Sequence, residues 1–306
     1  MHRTIAALAL LLALMGCTGA ADGPATPPPE ASQITKRATD KGDVVGHVDN
    51  ETGAHVWRAI PFAAPPVGDR RWRAPRGIDA WPEPLLAVQA PPRCLQMLSP
   101  LDQVPQSQIG DIVGDEDCLY LDVYAPPLSD DERAAADLPV MVWIHGGSNI
   151  WGYADQYNGA TLATQHNVVV VVIQYRLGAF GWFSHPAIED DAKSRDDASA
   201  NFGMLDQIAA LRWVKRDIAA FGGDPDLVTI FGESAGGMDV AGLLVSPRAD
   251  GLFQRAIIQS GGFDSISLDE AREGTKDSAI PAGRRIANAV DPDAAALRAA
   301  PADAVI

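Results

Sequence analysis

The sequence predicts an α/β fold with a mostly parallel central sheet, and three successive stretches carry that prediction. Residues 167–174 read NVVVVVIQ, and such a run of valines suits a strand that is covered on both faces. Residues 228–231 form a second apolar, partly β-branched run. Between them, residues 203–220 space their apolar side chains as one face of a helix does, at Met204, Ile208, Leu211, Val214 and Ile218. Strand, helix and strand in this order form right-handed βαβ units.

Further strands are predicted before and after this unit. Residues 44–48 and 55–60 flank the turn sequence DNETG, which predicts an antiparallel pair at the edge of the sheet. Other apolar runs predict strands over residues 119–124, 139–145 and 256–259.

The first residues have the pattern of an export signal. A short basic start precedes an almost unbroken Ala/Leu run over residues 5–15, which is too short to span a bilayer. Residues 1–17 are therefore predicted to be a lipoprotein-type signal peptide, because Leu14-Met15-Gly16-Cys17 resembles a bacterial lipobox. Acylation of Cys17 would hold the protein at the cell envelope, on the periplasmic face or at the outer membrane. Simple cleavage of the signal and secretion is the alternative.

A linker and one domain are predicted after the signal. Residues 18–38 begin with a stretch rich in proline and alanine that has no apolar periodicity, which is typical of a semi-rigid disordered tether. Residues 39–306 are predicted to form the folded domain. A net charge of −16 argues against a nucleic-acid partner and against adhesion to anionic lipid through basic patches.

Two cysteines remain outside the signal. An exported compartment is oxidising, so Cys94 and Cys118 are expected to pair and to close a loop over residues 95–117. Metal binding is the alternative, but no C-x-x-C motif or histidine pair accompanies them. No metal and no cofactor is predicted.

A G-x-S-x-G pattern follows the strand predicted over residues 228–231. Gly232 and Gly236 bracket Ser234, and this spacing is typical of a nucleophile held on a strained strand-to-helix corner. An ordinary turn is the alternative, since the pattern is short. The sequence HGGS over residues 145–148 follows another predicted strand, and consecutive glycines there allow two backbone N–H groups to hold an oxyanion.

These motifs resemble the type-B carboxylesterase family of α/β-hydrolases, which includes the cholinesterases. The resemblance extends over residues 43–262 and is most specific at EDCLYL (116–121) and FGESAGG (231–237). It implies that Ser234 is the nucleophile and that the backbone amides of Gly146, Gly147 and Ala235 form an oxyanion hole. It also implies the disulfide between Cys94 and Cys118, and Glu233 is assigned a structural role.

The chain departs from that family in its histidines. The order in this fold is Ser, acid, His, yet all six histidines precede Ser234. We therefore expect an α/β-hydrolase that lacks the C-terminal strands and helices, without the triad acid and histidine. Asp239 and Asp264 follow Ser234 and are candidates for the acid, but neither lies in a recognisable acid motif. His145 and His185 are expected to be structural, and the alternative is that an upstream histidine takes the place of the missing base. Asp239 stands where the family usually has a small hydroxyl residue.

Two functions fit these residues. The first is hydrolysis of a carboxylic ester through an acyl-enzyme, with a small-molecule ester as substrate. A choline ester is disfavoured because residues 95–117 contain no aromatic residue. The second is a catalytically silent, cholinesterase-like binding module or a non-functional gene fragment. The sequence does not indicate an oligomeric state.

Overall fold

A computed structural model describes residues 27–262, 267–290 and 293–306. The strands are β1 (Arg37–Thr39), β2 (Gly42–Val45), β3 (His47–Val48), β4 (His55–Pro61), β5 (Leu85–Leu86), β6 (Gln96–Met97), β7 (Ile112–Val113), β8 (Tyr120–Ala125), β9 (Leu138–Ile144), β10 (Val169–Ile173), β11 (Gly223–Glu233) and β12 (Arg255–Gln259). The helices are α1 (Asp130–Ala134), α2 (Ala160–His166), α3 (Gly178–Gly181), α4 (Pro186–Asp190), α5 (Phe202–Asp217), α6 (Ala235–Val245), α7 (Leu268–Glu273), α8 (Ala279–Val290) and α9 (Ala294–Ala299).

A seven-stranded sheet forms the centre of the molecule, in the order β12-β11-β9-β10-β8-β4-β3. The strands β12, β11, β9 and β10 pair in parallel. The strands β8, β4 and β3 continue the sheet with antiparallel pairs. The prediction of a mostly parallel sheet is therefore wrong, and the sheet is mixed. Its antiparallel half is built from the early strands, which are joined without crossover helices.

The individual strand predictions are confirmed except over residues 44–48. There the chain divides into β2 and β3, and β2 pairs with β1 and β5 in a separate three-stranded sheet. The valine run forms β10, whose five residues are all buried, as expected for a strand that is covered on both faces of the sheet. The strands β3 and β4 form the predicted antiparallel pair, with His47 opposite Val56 and Val48 opposite His55. The predicted runs at 119–124, 139–145, 228–231 and 256–259 correspond to β8, β9, β11 and β12.

Helix α5 carries more buried surface than its apolar spacing predicts. Ile208, Leu211 and Val214 are buried as expected, but so are the polar residues Asp206 and Gln207. A 3₁₀ turn at Ile218–Phe221 extends the helix. The helix therefore brings polar side chains into the interior as well as an apolar face, and Gln207 reaches the site described below.

The packed fold begins earlier than predicted. Residues 33–38 belong to the predicted linker, but they form a 3₁₀ turn at Gln33–Thr35 and strand β1, which pairs with β2 in the three-stranded sheet. The Trp57 indole donates to the Thr35 carbonyl at 2.7 Å, and the Arg37 side chain is buried. The burial of these groups cannot be predicted from composition. It shows that residues 33–38 belong to the folded domain and not to the linker. The predicted signal peptide with Cys17, and residues 18–26, lie outside the described residues.

Cys94 and Cys118 are joined in a disulfide, with Cα atoms 4.9 Å apart and a sequence separation of 24. Both cysteines are buried against the main core. The bond closes the loop that carries β6 and β7.

Replacement of both cysteines by serine is expected to lower the free energy of unfolding by about 3 kcal/mol, because the unfolded chain regains the entropy of the open loop. Urea unfolding of the oxidised protein and of the Cys94→Ser/Cys118→Ser variant measures this difference. Equal unfolding midpoints would show that the bond adds no stability.

Candidate active site

Ser234 occupies a strained corner between β11 and α6. Its backbone has φ 55° and ψ −119°, a left-handed conformation that non-glycine residues rarely adopt. The Ser234 N–H donates to the Gln259 carbonyl on the neighbouring β12 at 2.9 Å, which fixes the corner to the sheet. Strain of this kind is typical of a side chain that must project from the end of a strand.

The two glycines of the G-x-S-x-G pattern allow close backbone contacts. A Cβ on Gly236 would lie 2.1 Å from the Ile144 carbonyl oxygen, and one on Gly232 would lie 2.5 Å from the Gly236 carbonyl oxygen. Any side chain at either position would push α6 away from β9 or open the corner. The glycines therefore let the helix that follows Ser234 start directly against the end of β9.

Residues 146–149, called here the glycine loop, lie beside this corner. Gly147 has φ +103°, and Ser148 and Asn149 also have positive φ, so the chain turns sharply after β9. A Cβ on Gly146 would lie 3.3 Å from the Ser234 Cβ. The loop and the corner meet because β9 and β11 are neighbours, with Ile144 opposite Gly232.

Ala235 is the first residue of α6 and is buried. The first N–H groups of a helix have no acceptor within the helix, and the helix dipole places partial positive charge there. The structure thus brings Gly146, Gly147 and Ala235, which the sequence assigns to an oxyanion hole, to the immediate surroundings of Ser234.

A cavity of about 660 Å³ opens in front of Ser234 and the glycine loop. The aromatic residues Trp151, Tyr153 and Tyr157 also line this cavity and were not predicted as site residues. They follow the glycine loop within a few residues, and their density in the segment WGYADQY was the available signal. The segment 95–117 contributes Asp102 and Gln103.

The charges on that side of the cavity are already paired. Arg93 forms a salt bridge with Asp102 at 2.7 Å, and its guanidinium lies 3.4 Å from the centre of the Tyr153 ring. The cation–π face of Tyr153 is therefore occupied by a residue of the protein itself.

Histidine is absent from the residues that line this cavity within the described part of the chain. His145 is fully buried; its Nδ1 contacts the Gly146 carbonyl at 2.9 Å, and burial lowers its pKa to about 4. His185 Nδ1 accepts from the Ala187 N–H and caps α4. Both histidines have the structural contacts that the sequence analysis expects of them.

The carboxylates near Ser234 differ in their surroundings. Glu233 is exposed and lines the same cavity as Ser234. Asp239 is buried in α6 and accepts from Gln207 Nε2 at 2.6 Å and from Asn149 Nδ2 at 3.1 Å. Burial raises the pKa of Asp239 to about 6, although both hydrogen bonds act in the opposite direction. Asp264 lies outside the described residues.

No cluster of three or more His, Cys, Asp or Glu side chains that could hold a metal ion occurs in residues 27–262, 267–290 and 293–306. The site as described consists of a hydroxyl, backbone amides, aromatic rings and carboxylates.

A strained serine corner at the end of a strand, facing a glycine loop on the neighbouring parallel strand, defines an α/β-hydrolase. Residues 33–298 match the model of the carboxylesterase family. The chain belongs to that family.

Known relatives agree with this assignment. The para-nitrobenzyl esterase of Bacillus subtilis (strain 168) is 45% identical over 235 residues, which cover 76% of this chain and 45% of the relative. The human cocaine esterase is 45% identical over 234 residues, covering 74% of this chain and 40% of the relative. The chain spans about half the length of the curated relatives it matches.

Solved structures show the same fold. A thermophilic para-nitrobenzyl esterase superposes with a TM-score of 0.74 and 39% identity, covering 89% of this chain and 53% of the other. A carboxylesterase of Geobacillus stearothermophilus superposes with a TM-score of 0.70 and 35% identity, covering 89% and 53% respectively.

Gly236→Ala is expected to lower the free energy of unfolding by about 2 kcal/mol, because the new methyl group meets the backbone oxygen of Ile144 and the gain in helix propensity is smaller than that clash. Urea unfolding measures the change. Gly242→Ala is the matched control on the same helix, since its methyl would meet only the flexible end of Met204. Equal stability of the two variants would contradict the close approach of α6 to β9.

Asp239→Asn is expected to stabilise the protein above pH 6 by up to about 3 kcal/mol. The folded state raises the pKa of Asp239 from 3.8 to about 6 and so binds the proton more tightly than the unfolded state. The contribution of Asp239 to the wild-type free energy of unfolding should therefore fall as pH rises from about 4 to about 6, and this contribution is absent from the neutral variant.

Urea unfolding at pH 4 and pH 7 checks that expectation. The difference between wild type and variant should be small at pH 4 and near its maximum at pH 7. Glu233→Gln, which replaces an exposed carboxyl on the same corner, should show no such difference. A stability gap for Asp239→Asn that does not change with pH would contradict the shifted pKa.

Proposed function

We propose that Ser234 is the nucleophile of a carboxylic ester hydrolase that works through an acyl-enzyme. The observation that carries the proposal is the strained serine corner beside the glycine loop at one cavity. A strained conformation at this place costs stability, and such strain is concentrated at sites where a side chain must be presented to a substrate.

The reaction follows from these groups. Ser234 Oγ attacks the carbonyl carbon of the ester, and the carbonyl electron pair moves onto oxygen. The amides of Gly146, Gly147 and Ala235 hold that oxyanion, and one such donor is typically worth about 3 kcal/mol in the transition state. Collapse of the intermediate breaks the bond to the alkoxy oxygen, which leaves as the alcohol with the proton lost from Ser234 Oγ. Water then attacks the acyl-enzyme, its oxygen bonds to the carbonyl carbon, and one of its protons returns to Oγ as the acid leaves.

The proton of Ser234 Oγ requires a general base for this reaction. No histidine lines the cavity within the described residues. This observation favours a second candidate function, a catalytically silent binding module that keeps the cavity without turnover. The two candidates differ in one measurable property, which is covalent reaction at Ser234.

The substrate class that we propose is a neutral carboxylic ester. Aromatic rings from residues 151–157 offer apolar contact area for an acyl or alcohol group. Arg93 lies against Tyr153 and neutralises Asp102, which leaves this side of the cavity poorly suited to a quaternary ammonium group. The names of the relatives, such as para-nitrobenzyl esterase and cocaine esterase, agree with an ester substrate.

Export, with acylation at Cys17, is also proposed for this chain, on the basis of the signal pattern over residues 1–17. None of the helices in the described residues has the length and apolar character needed to cross a membrane. Metabolic labelling with a radioactive fatty acid tests this proposal, since Cys17→Ser should remove the label. Secreted protein without label would favour simple signal cleavage.

Ser234→Ala is expected to abolish hydrolysis of p-nitrophenyl acetate and covalent labelling by a fluorophosphonate probe, because both require the Oγ atom. Release of p-nitrophenol and the mass of the intact protein measure the two effects. Ser246→Ala, which alters the residue after α6 and lies outside the cavity, should keep the wild-type values. A folded wild-type protein with neither turnover nor label would contradict the hydrolase proposal and support the binding module.

A further inference from the structure

Asp239 differs from the other buried carboxylates in having no cation beside it. Within the described residues, the remaining buried aspartates each form a salt bridge with an arginine: Asp122 with Arg58, Asp197 with Arg76, Asp206 with Arg176 and Asp217 with Arg216. Asp239 has only the amides of Gln207 and Asn149 as donors. The Asp239 carboxylate is thus buried without an opposite charge. Burial of an unpaired charge costs folding free energy, and packing alone does not explain a carboxylate at this position.

The hydrogen bonds of Asp239 connect the two halves of the site. Asp239 lies about one turn after Ser234 on α6, Gln207 lies on α5, and Asn149 is the last residue of the glycine loop. Asp239 therefore joins the helix that begins at the serine corner to the loop that holds Gly146 and Gly147.

Asn149 also contacts groups that hold the first residues of the glycine loop. The Tyr175 hydroxyl has a single proton, which it shares between the His145 carbonyl at 2.6 Å and Asn149 Oδ1 at 3.2 Å. The Asn149 carbonyl accepts from the Gly178 N–H at 2.7 Å. The peptide group between His145 and Gly146, whose N–H is a proposed oxyanion donor, is thus held by a chain of hydrogen bonds that ends at Asp239.

We propose that Asp239 is a positioning residue that orients the glycine loop through Asn149, and that the orientation of the Gly146 amide depends on whether the Asp239 carboxyl is charged. The part of this inference that concerns catalysis rests on the function proposed above, whereas the coupling between Asp239 and Gly146 does not.

A physical difference between the two charge states supports the coupling. A carboxylate makes charge-assisted bonds to both amides, and such bonds are roughly twice as strong as neutral ones. The protonated carboxyl must donate through one oxygen. Gln207 Oε1 is buried and has no partner among the described residues, so rotation of the Gln207 amide supplies an acceptor for that proton. The bond to Asn149 then loses its charge assistance.

Other titratable groups around the network are separable from Asp239. Burial raises the pKa of Tyr175 well above 10, so its hydroxyl stays neutral, and burial lowers the pKa of His145 to about 4. Asp206 on α5 is paired with Arg176 at 2.7 Å. Glu233 faces the glycine loop from the corner and is exposed, which makes it the group that needs a control.

The sequence offers a direct probe of the Gly146 amide. His145-Gly146 is the only His-Gly pair in the chain. Protein labelled with ¹³C-carbonyl histidine and ¹⁵N-glycine therefore gives a single carbonyl-to-amide NMR correlation, which reports on Gly146. In the wild type, this resonance is expected to move between pH 4.5 and pH 8 with a midpoint near 6.

Three variants decide the origin of that titration. Asp239→Asn should hold the Gly146 resonance constant over the same pH range, and Glu233→Gln should keep the wild-type curve. Asn149→Gly should reduce the amplitude to less than about half while Asp239 remains, and glycine tolerates the positive φ at this position. A curve that persists in folded Asp239→Asn, or a flat wild-type curve, overturns the proposal.

Kinetics separate this inference from the proposed function. If the wild type hydrolyses p-nitrophenyl acetate, Asp239→Asn should lower kcat by roughly tenfold with little change in KM. A displaced Gly146 amide stabilises the transition state less well, but it leaves the binding of the substrate almost unchanged. An unchanged kcat overturns the catalytic part of the inference. If the wild type is inactive at every pH, the hydrolase proposal fails, and the NMR titration still decides the coupling.

Discussion

The parallel pairing of β9 with β11 is the constraint on which the site depends. Parallel strands end at the same edge of a sheet, so the residues that follow each strand meet there. With Ile144 opposite Gly232, the glycine loop and the serine corner emerge side by side. A shift of this register by one residue would turn the side chains of β11 to the opposite faces of the sheet and would separate Gly146 from Ser234.

Backbone proximity, more than side-chain packing, gives the corner its shape. The carbonyl oxygen of Ile144 lies 2.1 Å from the place that a Cβ on Gly236 would occupy, and the carbonyl of Gln259 accepts from Ser234 N–H. Each of these contacts uses a main-chain group of a neighbouring strand. The strain at Ser234 therefore persists because β9 and β12 hold the corner from both sides.

Local sequence patterns predicted the parts of this fold that depend on local chemistry. The valine run of β10 and the helix face at Ile208 and Leu211 follow from residue spacing. The corner at Ser234 follows from its G-x-S-x-G spacing only together with the neighbouring strand and the HGG stretch. The direction of β8 relative to β10 does not, because an apolar run of that length is equally compatible with parallel and antiparallel pairing. The burial of Thr35 and Arg37 escaped prediction for a similar reason: their partners, Trp57 and His55, are distant in sequence.

The polar interior around Asp239 shows how one buried carboxylate determines the hydrogen bonds of its surroundings. A carboxylate at this position needs donors, and it finds them in Gln207 on α5 and Asn149 in the glycine loop. Both donors are amides without charge, so burial still raises its pKa to about 6. An arginine in place of one amide would stabilise the charge, as Arg176 does for Asp206. Two amides instead leave the carboxyl able to change its charge near neutral pH, at a position that joins the helix of the serine corner to the loop beside it.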